Sequence, residues 1–355
     1  MLPVGTASAA ARQNRNRNVR LELEVVAPLQ QAGTRRGTRP ALNVADKEAK
    51  LAGMLASYSV DELGRLAPDA LGDALERGEI VNFPRCPIAL PDEPDLEFLR
   101  KDVAGRLRNK NISYHPETDS VPGLKAEPDL VARAQRILKQ HAGRVEAFLA
   151  RTMPTLTRDW TVGTSSFRPI QEKGRDLSPH ASNELVHFDA GAYGRTNGDR
   201  ILRFFVNVNP VEDRVWATRG AFPDVYARFG RAAHITPDTR RRASLEPGAL
   251  DRLRTGFLRT IAAAGLPQAM LIDSSPYDRT MRQFHNFMKD EPAFRDDMSS
   301  QVEIRFAPFS AWMVLTDMVS HASLSGQYAL VNTFLLRLRN CRLPDLAPYR
   351  ILSAA

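Results

Sequence analysis

Two kinds of hydrophobic pattern divide the chain. From about Asp46 to Arg151, apolar residues recur at three- and four-residue steps, the spacing of a helix with one buried face. The clearest run is about Pro128 to Arg151, with Val131, Ala134, Leu138, Val145 and Phe148 in phase, although Gly143 loosens its middle. Upstream, Ser59-x-x-Glu62 has the form of a capping box. Asp69 to Arg77 stops at Gly78, a residue suited to the left-handed turn that ends a helix. Glu79 to Phe83 reads as a short strand.

After Pro154 the period falls to two. β-rich segments appear at Thr155 to Phe167, Leu185 to Asp189, Arg200 to Asn207, Val302 to Phe306, Ala311 to Val319 and Gln327 to Leu338. Between the third and fourth lie helical stretches near Asp224 to Ala232, Pro247 to Ala264 and Tyr277 to Lys289. The pattern predicts a β-sandwich or jelly roll over 153–340, interrupted by a helical insertion at 219–300 beside the barrel mouth, where function concentrates. A helical region, 46–152, packs on this core, and 341–355 reads as a C-terminal tail.

Composition changes the picture in one respect. The 355 residues carry a net charge of +8, but residues 1–40 hold seven Arg against two Glu, so +5 of the surplus sits there. The run Arg12 to Arg20 has no apolar period, and residues 1–45 read as a disordered basic tail or an anchor for an acidic surface. The body is nearly balanced, so nucleic acid is not an expected partner. Cys86 and Cys341 are isolated, which argues against a disulfide framework or a thiolate metal site. No segment approaches the roughly 18 apolar residues of a membrane span, and Met1 to Ala11 lacks a secretory pattern. A cytoplasmic location follows as the expectation.

The candidate chemistry begins at His187-Phe188-Asp189. In an extended strand, residues i and i+2 share a face, so the imidazole and carboxylate converge. One further imidazole would make a two-histidine, one-carboxylate face, a donor set that holds Fe(II) and leaves positions open. His321, ending the strand-like run from Trp312, is the best candidate. His285 falls on a predicted helix between Phe284 and Phe287 and reads as a packed or surface histidine. An isolated H-x-D is weak evidence, and a structural His/Asp pair is the competing reading. A 2-oxoglutarate-using site also needs a cation for the cosubstrate's far carboxylate. The usual position, about ten residues past the distal histidine, holds Val331, Asn332 and Thr333. Arg203, Arg168 and Arg305 are the alternatives, against the competing readings of an internal salt bridge for Arg203, an edge-strand surface position for Arg168 and a solvent-facing position, the preferred one, for Arg305. Alternation in Arg200 to Asn207 puts Arg203, Phe205 and Asn207 on one face and Leu202, Phe204 and Val206 on the other.

Seven runs together resemble the Kdo hydroxylase family, Fe(II)/2-oxoglutarate-dependent dioxygenases acting on 3-deoxy-D-manno-oct-2-ulosonic acid. They are Asn111-Ile-Ser-Tyr-His-Pro116, Ser166-Phe-Arg-Pro169, His187-Phe-Asp-Ala190, Gly198-Asp-Arg-Ile-Leu-Arg203, Asn207-Val-Asn-Pro210, Ser275-Pro-Tyr-Asp278 and Ser320-His-Ala-Ser-Leu-Ser-Gly-Gln-Tyr328. No single run is specific; their order and spacing are. The resemblance spans about Leu75 to Leu336 and implies a double-stranded β-helix of cupin type. It implies His187, Asp189 and His321 as metal ligands, and 2-oxoglutarate held near Arg168, Arg203 and Asn207, with O₂ as second cosubstrate. It further implies hydroxylation at C3 of a Kdo sugar on lipid A, which would bring the protein to the inner face of a bacterial inner membrane. Arg240, Arg241 and Arg242 could meet such an anionic glycolipid or form a solvated run. Competing readings are the same chemistry on another anionic acceptor (protein or nucleic acid), a non-catalytic β-barrel that binds anionic glycolipid, and a cupin-like metal hydrolase or isomerase.

Overall fold

The computed structural model describes residues 44–107, 110–191, 195–235, 245, 248–263 and 274–354. The basic tail and the Arg240 to Arg242 run lie outside the described residues. In chain order the elements are α1 (Val44–Met54), β1 (Leu55–Ser57), α2 (Val60–Leu63), α3 (Ala70–Glu76), β2 (Ile80–Phe83), α4 (Glu93–Phe98), β3 (Ile112–Tyr114), α5 (Pro128–Thr152), β4 (Thr161–Arg168), β5 (Arg200–Asn207) and β6 (Arg214–Thr218). Then follow α6 (Phe222–Phe229), α7 (Ala249–Ala263), α8 (Pro276–Asp290), α9 (Pro292–Arg295), β7 (Val302–Phe306), β8 (Ala311–Leu315), β9 (Ala322–Ser325), β10 (Ala329–Leu336) and α10 (Pro348–Ala354).

The strands form two sheets, one ordered β1-β2-β8-β5-β10-β4-β3 and a smaller one ordered β7-β6-β9. An extended segment at 183–189 adds to the free side of β9 through the His187–His321 bridge and the hydrogen bond from Ser323 N to Asn183 O. Consecutive strands alternate between the sheets: β4 large, 183–189 small, β5 large, β6 and β7 small, β8 large, β9 small, β10 large. That alternation is the winding of a double-stranded β-helix, and the expected jelly roll is present. The helical insertion falls between β6 and β7, as the pattern predicts.

Side-chain alternation on β5 sets the two layers of core. Phe205 turns inward, stacked on Trp312 at 5.1 Å and edge-on to Trp216 at 4.8 Å. Phe204 turns outward, against Phe148 of α5 at 6.0 Å and Phe83 of β2 at 6.4 Å. The capping box at Ser59/Glu62 forms, and Gly78 takes φ +83°, where an added Cβ would meet Ala221 Cβ at 2.8 Å. Gly143 does not interrupt α5, whose apolar face outweighs the small propensity cost.

Four regions differ from the expectation. In the N-terminal region the short strand expected at Glu79 to Phe83 is present as β2, but β1 and β3, which lie at the two edges of the large sheet, were not expected; at three residues each they carry no readable period. The strand β6 is buried at every position and so has no polar-apolar alternation to find. The run expected from Ala311 to Val319 breaks after Leu315, because the Asp317 carboxylate accepts hydrogen bonds from Ile201 N (3.0 Å) and Arg200 Nε (2.6 Å) and pins a turn. The C-terminus is docked rather than a free tail. Glu76 accepts from the backbone N–H groups of Arg342 (3.0 Å) and Leu343 (2.6 Å), and Tyr349 of α10 packs on Tyr277 at 5.3 Å.

Candidate metal centre and cosubstrate pocket

His187 and His321 face each other in an antiparallel pair, His187 N donating to His321 O (3.0 Å) and His321 N to His187 O (2.9 Å). Residues paired in this way project to the same side, which sets the imidazoles 4.7 Å apart between ring centroids. Asp189, two residues along the extended segment, joins that side, with its backbone N–H held by Thr316 O at 2.9 Å. One donor atom from each of the three lies within 4.8 Å of the others. His321 does not end a strand as expected from the Trp312 run. It stands at the entrance to β9, after the Asp317 turn, and Trp216 stacks on its ring at 5.3 Å.

The surroundings put all three groups in ligating form. His187 Nδ1–H donates to Leu185 O at 2.7 Å and His321 Nδ1–H to Val319 O at 3.0 Å. Each ring thus presents an unprotonated Nε2 to the shared space. Burial lowers the pKa of both imidazoles, with His321 and Lys289 adding positive repulsion at His187. Burial alone would raise the Asp189 carboxyl, but Arg203 and the two histidines outweigh it and hold it well below the usual range. Two neutral nitrogens and one ionised oxygen, converging beside an open pocket, suit Fe(II).

The pocket over this face is lined by Arg168, Arg203, Arg214, Phe205 and Trp216 among others. Its three arginines are differently committed. Arg203 Nε donates to Asp189 Oδ2 at 2.7 Å, and Arg214 pairs with Glu172 at 2.9 Å. Arg168, at the end of β4, lies over the Phe205 ring with its guanidinium carbon 6.0 Å from the centroid. Among the described residues, no carboxylate comes within ion-pair distance of it. Burial, with the repulsion of Arg203 and Arg214, lowers the Arg168 pKa to about 10.

Two sequence candidates fall elsewhere. Asn207 shares the inward face of β5 but not the pocket. Its amide nitrogen donates to Glu212 O (2.9 Å) and Phe306 O (3.0 Å), and its oxygen accepts from Asn209 N (3.0 Å). These bonds close the turn after β5, and Asn207 is not among the residues lining the pocket. Arg305 lies on the solvent face of β7. Sequence reasoning missed Arg214 and Trp216, because β6 went unread. His285, expected as a packed or surface histidine, is packed: its Nδ1–H donates to Phe188 O at 2.7 Å and its ring lies 5.0 Å from that of His187.

A double-stranded β-helix with a His-Asp-His face opening into an arginine-lined pocket defines the class of mononuclear metal oxygenases. The family model described as 3-deoxy-D-manno-oct-2-ulosonic acid (Kdo) hydroxylase matches residues 65–355. Among solved structures, the chain is similar to the apo form of the Kdo hydroxylase KdoO, a non-heme Fe(II) alphaketoglutarate dependent dioxygenase, at 26% identity and TM-score 0.68, covering 85% of this chain and 95% of that one. The KdoO complexes with alphaketoglutarate and Fe(III) and with cobalt(II) match at 25% identity and TM-score 0.68; they cover 85% and 84% of this chain and 95% of each of theirs. A search of curated proteins gave no match. The chain belongs to the Kdo hydroxylase family.

Proposed function

We propose that the protein is an Fe(II)/2-oxoglutarate-dependent dioxygenase that hydroxylates C3 of a Kdo sugar on lipid A, with His187, Asp189 and His321 as metal ligands. The observation that carries this reading is the ligand face lying beside Arg168, a half-buried guanidinium with no carboxylate partner among the described residues. Fe(II), 2-oxoglutarate and O₂ together supply oxidative decarboxylation to succinate and CO₂, coupled to insertion of one oxygen atom into an acceptor C–H bond.

The chain's own residues position and shield. Arg168 offers a bidentate fork to the far carboxylate of 2-oxoglutarate, whose charge would supply the counter-ion it lacks among the described residues. Arg203 keeps one Asp189 oxygen occupied, which leaves the other as the one that would ligate a metal. Phe284 and His285 on α8 cover Phe188, keeping water from the ligand segment. The acceptor is membrane-borne, which places the enzyme at the inner face of the inner membrane during turnover.

The test is anaerobic loading with Fe(II) and 2-oxoglutarate, followed by O₂ with and without Kdo-bearing lipid A. Succinate release coupled to one added oxygen on the sugar is expected. Succinate without glycolipid oxidation would redirect the chemistry to another acceptor, and no succinate at all would refute the oxygenase reading.

A further inference from the structure

The insertion carries a surface that the barrel chemistry does not use. Along α7, Leu250, Leu253 and Phe257 are 82%, 70% and 67% exposed. Their spacing of three and four residues gathers them into one stripe. The helix is anchored by its other side. Thr255 and Leu258 are buried, Thr255 Oγ1 accepts from Arg195 Nη1 at 2.7 Å, and Asp251 pairs with Arg279 of α8 at 2.9 Å. The stripe therefore faces outward from the layer that roofs the metal segment, since α8 carries the His285 bond to Phe188.

Its setting has a surplus of cations: Arg252 and Arg254 on α7 and Arg282 on α8 are exposed, and Arg279, also exposed, is the one paired with Asp251. Among the described residues, no helix is long and apolar enough to cross a membrane, so any lipid contact made here is interfacial. The charge also selects among occupants. The chain's own segment 1–40 has seven Arg against two Glu and would meet like charge. A second copy related by a two-fold axis would set one arginine rim against another. An anionic bilayer offers apolar depth for the stripe and counter-charge for the rim.

We infer that α7 lies in the headgroup region of an anionic membrane, with Leu250, Leu253 and Phe257 inserted, and so holds the pocket roof at the bilayer surface. This deepens the reading that the acceptor is membrane-borne and names the surface that meets the membrane. The test uses the full-length protein and vesicles that contain neither acceptor nor cosubstrate, so it is independent of catalysis. Co-sedimentation with phosphatidylcholine–phosphatidylglycerol vesicles should exceed that with phosphatidylcholine alone. It should fall about tenfold or more in Leu253→Glu/Phe257→Ser. In a Phe257→Trp variant, adding the anionic vesicles should shift the emission of the introduced tryptophan to the blue. Unchanged sedimentation of the double variant, or no blue shift in the Phe257→Trp variant, overturns the inference. So does a dimer in solution that the double variant dissociates, because the stripe would then be covered by a second copy.

Discussion

Asp189 is asked to do two things at once, and each of its oxygens does one. Oδ2 takes the Arg203 Nε–H at 2.7 Å, while Oδ1 lies on the His187 side, 3.8 Å from its Nε2. Arg203 and Arg168, both sequence candidates for the cosubstrate, therefore separate by function, Arg203 forming the internal ion pair that was its competing reading. Arg203→Ala should weaken Co(II) or Fe(II) binding by about ten- to a hundredfold, the usual cost of losing a partner behind a ligand. Its KM for 2-oxoglutarate, measured at saturating metal, should change little. Arg168→Ala should do the reverse, raising that KM by about ten- to a hundredfold, as expected for a lost charge-assisted pair, and leaving metal affinity intact. A common effect of both variants on KM alone would return Arg203 to the cosubstrate. His187→Ala, Asp189→Ala and His321→Ala should each lose stoichiometric Co(II) binding and turnover while far-UV circular dichroism is unchanged. Retained metal in any one removes that residue from the ligand set. The H-x-D pair was legible because strand period alone puts i and i+2 together. The division of labour between the arginines was not, since alternation gives a face but not a partner.

At the scale of elements, the insertion is fastened to the barrel through one buried carboxylate. Asp278, fully buried near the start of α8, accepts from Ser275 N (3.1 Å) and Ser275 Oγ (2.6 Å), and also from Thr196 N (3.1 Å) and the Thr196 hydroxyl. The same group caps the helix and grips the chain a few residues beyond Asp189. Asp278→Ala removes the acceptor and leaves those donors buried without partners, a cost of about 2–4 kcal/mol. The expected result is a lowered Tm, with metal affinity falling as well because the ligand segment loses its support. A lowered Tm with unchanged metal affinity would show that Asp278 serves α8 alone. The Ser275-Pro-Tyr-Asp278 run was visible in the sequence as part of the family resemblance, and three of the insertion's four described helices, α6, α7 and α8, were readable from their period. That the Asp reaches Thr196, 82 residues away, was not, because a local capping pattern carries no information about a distant acceptor need. The unread β6 has the complementary cause: burial on both faces erases the alternation by which strands are recognised.

For the whole molecule, the open question is whether the N-terminal layer and the barrel behave as one cooperative body, and His141 reports on it. This residue of α5 is fully buried against the outer face of the large sheet, and neither ring nitrogen has a well-formed hydrogen bond among the described residues. Burial, reinforced by Arg144, lowers its pKa to about 3, and Asn332 offsets only a little of that. The unfolded chain binds the proton near its ordinary value of about 6.5, so between those two values the unfolded state holds more protons than the native one. Stability from this group is therefore complete above about pH 6.5. It is lost as the pH falls, by up to about 1.4 kcal/mol per pH unit. In His141→Leu the fall in urea-unfolding free energy from about pH 6.5 to 5 should be shallower than in the parent by that one-proton slope, while the carboxylates shared by both proteins cancel. If α5 and the barrel unfold together, tryptophan fluorescence from the barrel will register this difference as fully as helical circular dichroism does. If the slope changes only in the helical signal, the N-terminal layer opens by itself, and the metal centre rests on a barrel that can stand without it.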